Sequence, residues 1–534
     1  MNYLFNGLLE HFQNEPPKKN DKTILESKTL EIYKNTYGNP VFSTPYGSRY
    51  MINADATASG FLYKPIDNFI QTNIVPYYNN THSNAFAGQM MNLFVSKSKQ
   101  KIIKSIGAKK SDKVLFTGNG CTGAIQHIIH MLNLKKKSDT KKPVVFISEA
   151  EHHSNDLPWR HLPIDLVIIP VELSTGLIDL SKLKKYLKKF QHRPLRLISF
   201  IAVSNITGVI QPIDDICILG HRYGALVMLD YATGAPYVPI NMHKDENSGN
   251  YIDILVISIH KFLGGPGSPG LLVVRESCCR NNIPFCPGGG TVRFVTDEMQ
   301  TYSDDIETRE NGGTPNIIGS IKAGLCFELK DSLQEHINDR ELWLLRYIQG
   351  KLLTNKDIII INPIDNAERI PIFSFRIKDI HYNLIVVLLS DLFGIQSRGG
   401  ISCCSMYAQR LLNISDDKKK DVYTSIIENK GVPNYYGWCR LTFHYSMPKY
   451  IVDYIIEAIA FVSANAKEFK PYYVYDSKKN NWYYSDINNP QTRESLFESL
   501  VDSTIGSENN AYPTSIQLNE IFKLNKTILD KISK

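Results

Sequence analysis

DILVISIHKFLGGPGSPGLLVV, residues 253–274, contains two short apolar runs, Ile254–Ile257 and Leu271–Val274. Each has the length and content of a fully buried strand. Between them stand His260, Lys261 and a turn with four glycines and two prolines. A lysine at a strand end is ordinarily a surface amine whose stem covers apolar neighbours. Kept from water, the same amine loses its proton more easily and becomes a nucleophile toward carbonyl carbon.

The same rhythm runs upstream from about residue 111. KVLFTGNGCTGAIQHIIHML (113–132) reads as strand, glycine turn, helix. PVVFISEAEHHSN (143–155) reads as strand and polar loop, and DLVIIPVELSTGLIDLSKLKKYLKKF (165–190) as strand, turn, helix. PLRLISFIAVSNITGVIQPIDDICILGHRYG (194–224) repeats the pattern, and ALVMLDYATGAP (225–236) adds a strand. Alternation of this kind predicts an α/β fold: a mostly parallel sheet between two layers of helices. In such sheets ligands collect at the carboxyl ends of the strands. Those ends deliver Cys121–Thr122, His152–His153, Asn205, Asp230 and His260–Lys261 to one edge.

At 534 residues the chain is too long for one core. The α/β region is expected to occupy 46–325, after an N-terminal arm (1–45) packed on a smaller domain. That smaller α+β domain, 326–465, contains IPIFSFRI and WCRLTFHY, and a C-terminal extension follows at 466–534. Within the extension YYVYDSKKNNWYYSD (472–486) reads as a hairpin turning at KKNN.

The net charge is +7, but its lysines lie in short runs such as LKKKSDTKK (134–142) and LKKYLKKF (183–190). The second has helical spacing, with Leu183, Leu187 and Phe190 inward, so these are solvated faces and no nucleic-acid module is expected. No apolar stretch reaches bilayer length, and MNYLFNGLLEHFQNEPPKKNDK at the N-terminus lacks the pattern of a secretory or transit signal, so a cytoplasmic location is expected. Nine cysteines without a CxxC pair are expected to be reduced thiols, with no metal site among them.

Pyridoxal phosphate is a cofactor that needs a Schiff-base lysine, an acid facing its pyridine nitrogen and a phosphate cradle. Asp230, closing the apolar run ALVML, suits the acid; its plainer role is to cap whatever follows DYATG. TGNGCTGA (117–124) suits the cradle, because glycines admit close approach and the helix beginning near Thr122 offers free N–H groups. Gly118, Gly120 and Gly123 also spell GxGxxG, so a dinucleotide enzyme competes, with Glu149 or Glu151 as its ribose-binding acid. His152 or His153 on a strand-exit loop could stack on a pyridine ring and exchange protons near neutral pH.

In order and spacing, INADATASG (52–60), GNGCTGAI, SEAEHHSNDLPW, AVSNITG, LDYATGAP, SIHKFLGGPGSPG, FCPGGGTV, ENGGTPN, SRGGISCC and WCRLTFHY resemble the class V aminotransferases of fold type I. These are pyridoxal-phosphate enzymes, and the likeness is greatest to the cysteine desulfurase and selenocysteine lyase branch; it runs from about residue 52 to about 465. The resemblance implies that Lys261 holds the cofactor aldehyde, Asp230 binds the pyridine nitrogen, and His152 stacks on the ring. It gives the phosphate to Thr122 with the Cys121 backbone, Ser258 and His260. Asn205 and Arg440 would take the substrate carboxylate. Thr314, with Thr291 as a second candidate, would reach the phosphate in the neighbouring subunit of a homodimer.

Arg398 and Cys403 sit five apart, as do the arginine and catalytic cysteine of one desulfurase branch, which implies Cys403 as the persulfide-forming nucleophile and Arg398 as its neighbouring cation and a further substrate-binding residue. Thr233 stands where the family usually has a glutamine bonding the ring hydroxyl, and RGGISCCSM departs from the desulfurases' RTGHHCAMP-like pattern. The implied reaction removes sulfur from L-cysteine, giving alanine and a persulfide that a sulfur-acceptor protein would discharge. The alternatives are aminotransferase, epimerase or lyase chemistry on another amino acid, or a non-catalytic protein retaining the fold.

Overall fold

The computed structural model describes residues 22–135, 141–361, 367–485 and 512–533. Residues 1–21, read above for targeting signals, part of the lysine run at 134–142, and Asp486 with the middle of the tail lie outside the described residues.

The chain divides into two compact units. The first is built on Thr57–Asp339 with Pro363–Ile370, and the second joins Lys19–Ala56, Arg340–Asn362 and Pro371–Lys534. The boundary expected at 325/326 falls instead inside a 36-residue helix, Ile317–Leu352, and the division lies between Asp339 and Arg340. An unbroken helix carries no turn residue or change in composition to mark such a point. The described residues of the arm expected at 1–45 and of the extension expected at 466–534 group with the second unit.

The first unit is organised by a seven-stranded sheet: β1 (Lys113–Thr117), β2 (Val144–Ser148), β3 (Asp165–Ile169), β4 (Arg196–Ile201), β5 (Leu226–Asp230), β6 (Ile254–Ser258) and β7 (Gly270–Val274). Their spatial order is β1-β7-β6-β5-β4-β2-β3. Every neighbouring pair is parallel except those of β7, which runs antiparallel to both β1 and β6. Strands β2, β6 and β7 are buried at every position, as continuous apolar runs under two helical layers require. The helix Gly120–Met131 packs on β6 and β7. In the helix Leu180–Lys189, Leu183 and Leu187 are buried, and Asp179 caps its start by accepting from Lys182 N at 2.9 Å.

The turn after Lys261 is met by a distant backbone segment. Gly60 N donates to the His260 carbonyl at 2.9 Å, and Gly264 N donates to Phe61 O at 2.7 Å. The loop bearing the lysine is thus tied by main chain some 200 residues away in sequence.

The second unit holds an antiparallel four-stranded sheet, in spatial order Ile358–Ile360, Ile372–Ile377, Trp438–Thr442 and Arg398–Gly400. Ile395–Gln396 pairs in parallel with Ile52–Asn53. The hairpin of the tail forms from Tyr473–Asp476 and Asn481–Tyr484. A terminal helix, Ser515–Ile532, follows a capping box at Thr514 and Gln517. Its buried Asn525 donates to Leu392 O at 2.8 Å and accepts from Arg49 Nη2 at 2.9 Å, while Arg49 Nε donates to the same carbonyl at 2.5 Å. Arg49 is 1 % exposed, so this amide satisfies a buried guanidinium.

Candidate active site

Four strand ends of the first unit converge on the start of the helix Gly120–Met131. Gly120 has φ +55°, and a Cβ there would lie 2.7 Å from Ser258 Oγ and 2.9 Å from His260 Cε1. Only glycine leaves that space open. Cys121 N donates to Ser258 Oγ at 2.9 Å. Thr122 Oγ1 lies 2.7 Å from Ser154 Oγ, whose own backbone N–H donates to His152 Nδ1 at 3.1 Å. Because Nδ1 accepts that bond, the neutral His152 ring carries its proton on Nε2. Hydroxyls, helix N–H groups and an imidazole are thereby gathered where an anion would be held.

Asp230 ends β5 and is 2 % exposed. Burial raises its pKa, against the pull of the Ala232 N–H, which donates to Oδ1 at 2.8 Å, and of the Lys261 ammonium. Burial also pushes the Cys121 thiol well above its ordinary range, with Asp230 adding to the rise, so Cys121 is inert and contributes its backbone. His260 is held below the ordinary imidazole range by burial and then by Lys261, and is neutral at neutral pH. The structure therefore brings Cys121, Thr122, His152, Asp230, Ser258, His260 and Lys261 into one cluster.

Beneath His152 lies a network absent from the sequence reading. Glu151 is buried and accepts from Ser148 Oγ (2.5 Å), Ile201 N (2.9 Å) and Asn155 Nδ2 (2.6 Å). Burial lifts its pKa to about 8 despite these donors. Asn155 in turn accepts from Ser199 Oγ (2.5 Å) and Trp159 Nε1 (3.1 Å). The side chains on either side of His152 are thus locked to β2 and β4. Ser154, which joins Thr122 to His152, was also missed; its only sequence signal was its place in the HHSN loop.

The remaining candidates of this unit are spread more widely. Asn205 is buried in a turn closed by Gly208 N to Ser204 O at 2.9 Å, and Thr233 is buried in the turn after Asp230. Thr291 is fully buried, with its hydroxyl donating to Gly288 O at 2.7 Å within its own loop, so it does not present that group outward. Thr314 is exposed and accepts from Asn80 Nδ2 at 3.1 Å.

In the second unit Arg398 and Arg440 face each other on adjacent strands. One carboxylate joins them: Asp55 Oδ1 accepts from Arg440 Nη2 at 2.7 Å, and Oδ2 accepts from Arg398 Nε at 3.0 Å. Burial lowers the Arg440 pKa, and Asp55 opposes that shift. Cys403 is exposed, in the field of Arg440, on a turn where Ser402 and Cys403 both have φ +55°. Two successive side-chain-bearing residues in the left-handed region are strained and are held by the surrounding fold. Trp438 Nε1, donating to Ser402 Oγ at 3.2 Å, is part of that hold. Cys404 beside it is buried, and all nine cysteines are free.

The dinucleotide alternative does not survive the topology. It needs β1 and the next strand side by side, but β1 pairs with β7 while β2 lies toward the opposite edge. Glu149 accepts from Val171 N at 3.0 Å and Glu151 is turned inward, so neither acid faces GxGxxG. Among the described residues no group of His, Cys, Asp and Glu forms a metal site, and no helix is long and apolar enough to cross a membrane.

Comparison with known proteins agrees with this geometry. A family model described as Aminotransferase class-V matches residues 53–453. A probable cysteine desulfurase of Chlamydia muridarum is 31% identical over 309 residues, 57% of this chain and 73% of the relative. A probable cysteine desulfurase of Borreliella burgdorferi is 28% identical over 379 residues, 68% of this chain and 85% of the relative. The solved cysteine desulfurase of Thermococcus onnurineus NA1 superposes with TM-score 0.64 at 22% identity, covering 78% of this chain and 95% of that one. The cysteine desulfurase CsdA of Escherichia coli gives TM-score 0.61 at 20% identity, covering 78% and 94%. With three-quarters of its length matched by this family model, the chain belongs to the class-V aminotransferase family.

Proposed function

We propose that this protein is a pyridoxal-phosphate enzyme that removes sulfur from L-cysteine, releasing alanine and leaving a persulfide on Cys403. The observation that carries the reading is the cluster in which Lys261 shares its surroundings with buried Asp230 and the Gly120–Thr122 cradle. Relatives bearing the name cysteine desulfurase point to the sulfur chemistry.

The residues present fit the cofactor. The space that a Cβ at Gly120 would fill, bounded by Ser258, His260 and the Cys121 N–H, suits a phosphate, with Thr122 completing it. Lys261 would hold the aldehyde carbon, Asp230 the pyridine nitrogen, His152 the ring face and Thr233 the ring hydroxyl. When bound, pyridoxal phosphate supplies an electron-poor ring that stabilises negative charge at the amino acid's α-carbon. Asp230 would keep the ring nitrogen protonated, the buried carboxylate facing a cation in addition to accepting from the Ala232 N–H. The Lys261 amine would carry the α-proton on Nζ. His152 offers the Nε2 proton.

The substrate carboxylate is assigned to Arg440 and Asn205. Cys403, as thiolate, attacks the substrate sulfur: an S–S bond forms, the Cβ–S bond breaks, and the electron pair stays with the carbon that becomes the alanine methyl group. A homodimer is part of the proposal, with Thr314 directed to the second subunit. The exposed apolar side chains Phe294 (65 %), Val295 (59 %) and Met299 (66 %) on the hairpin of Val292–Val295 and Gln300–Tyr302 support it. A sulfur-acceptor protein and a cytoplasmic location belong to the same reading, the latter supported by the free cysteines.

The test is borohydride reduction of protein produced with ample vitamin B6, followed by peptide mass spectrometry. A pyridoxyl adduct on Lys261 is expected, together with alanine formation that Cys403→Ala suppresses. Absence of the adduct overturns the cofactor assignment, and undiminished alanine formation by Cys403→Ala overturns the persulfide.

A further inference from the structure

We propose that Asp55 is the resident counter-carboxylate of the arginine pair, a positioning residue that the substrate carboxylate exchanges with at Arg440. The inference rests on the assignment of Arg440 to substrate binding made above.

Arg440 has a side chain only 3% exposed, and a guanidinium so far from water is not left without a counter-charge. Asp55 provides one through Oδ1 while its Oδ2 lies on Arg398. The two arginines are not equivalent. The Arg398 side chain is 48% exposed and Asp55 18%, so this half of the bridge reaches solvent and can follow a moving carboxylate. Asp55 also sits on a turn held by its own N–H to Asn53 Oδ1 at 2.9 Å, on a segment outside the four-stranded sheet. An incoming carboxylate can therefore replace Asp55 on Arg440 like for like, with Asp55 retained by Arg398.

Charge favours exchange over simple addition. Two guanidinium groups and one carboxylate leave a single positive charge, and Asp55 already occupies the Arg440 fork. A second carboxylate added with Asp55 still on Arg440 would meet like charge at the same guanidinium, whereas exchange leaves one carboxylate on each arginine. Asp55 thus weakens the hold on any carboxylate, and it keeps Arg440 oriented when none is bound.

Two measurements on the full chain test this. The first is the ratio of alkylation rates at Cys403 by iodoacetate and by iodoacetamide, followed by peptide mass spectrometry; it reports anion recruitment without any turnover. The second is the calorimetric dissociation constant of propionate, a carboxylate with no amine to react. Asp55→Asn keeps an acceptor for Arg440 and removes the charge. It is expected to raise the ratio and to tighten propionate binding, each by about tenfold for one charge removed at this range. Asp55→Glu is expected to restore both toward the parent values, and Asp55→Ser serves if the asparagine variant fails to fold.

Arg440→Lys separates the two levels of the argument. If it leaves propionate binding unchanged, the assignment of Arg440 falls, and the exchange falls with it. If it weakens binding while Asp55→Asn leaves both readouts at or below parent values, the exchange alone is overturned.

Discussion

Gly60→Ala is the most direct probe of how the lysine is placed. A Cβ at residue 60 would lie 2.0 Å from the Phe262 carbonyl oxygen and 2.7 Å from that of Lys261. Ordinary contact begins near 3.4 Å, so the first oxygen must retreat by about 1.4 Å. Both atoms are backbone carbonyl oxygens of the two peptides flanking Phe262, so no flexible side chain can absorb the clash, and the Gly60 N to His260 O bond strains with it. Overpacking of this kind costs about 1–3 kcal/mol of stability. Misplacement of a reacting group by about 1 Å costs on the order of 10²-fold in rate. The expected outcome is a folded protein with a lowered melting temperature, alanine formation down by about that factor, and less borohydride-trapped adduct at Lys261. Ser59→Ala, one residue away and exposed, removes only a long bond from Ser59 Oγ to His260 O (3.4 Å) and introduces no clash, so its effect is expected to be small beside that of Gly60→Ala. Parent turnover with an unshifted melt in Gly60→Ala would refute the view that this close approach positions the lysine.

Other perturbations have equally definite outcomes. Glu151 binds its proton up to about pH 8 in the folded chain and to about 4.5 when unfolded, so the folded state holds more protons between those values and stability falls as pH rises through that window. At about 1.4 kcal/mol per unit the loss is on the order of 5 kcal/mol; Glu151→Gln should flatten that part of a urea-denaturation profile taken against pH, and an unchanged slope would exclude Glu151 as its source. Asn525→Ala removes the acceptor of a buried Arg49 N–H and should lower stability by about 1–3 kcal/mol, read by thermal melting and by faster proteolysis of the terminal helix. Iodoacetamide under native conditions should label the exposed Cys286 and Cys403 first, Cys279 more slowly and the buried cysteines only on unfolding; early labelling of Cys404 would contradict the turn at 402–403.

Much of the first unit was legible because burial on both faces of a sheet leaves continuous apolar strands, and each ends abruptly at a polar or glycine residue. That is why Asp230, Ser258 and Lys261 stand out, and why the helix of Leu183 and Leu187 reads correctly. The hairpin of the tail was visible for the same local reason, alternation on either side of a polar turn. What escaped were pairings made only by tertiary folding. Asp55 meets Arg398 and Arg440 across 343 and 385 residues of sequence. Glu151 reads as one acid in a polar loop, and nothing beside it announces that it turns inward to Ile201 N. GxGxxG misdirected because the local pattern of strand, turn and helix is shared by two sheets whose strand orders differ, and order is a long-range property.

The Arg49–Asn525 clasp has a consequence for how the chain is made. The second unit draws strands from before residue 57 and closes on a helix near residue 525. During synthesis its opening segment emerges first and then waits, unpaired, while more than four hundred residues follow, whereas all seven strands of the first unit are already outside by residue 274. The large sheet can therefore assemble on the ribosome, but the clasp closes only after residue 525 has emerged. Nascent chains stalled before residue 525 should carry a protease-resistant sheet and a cleavable early segment.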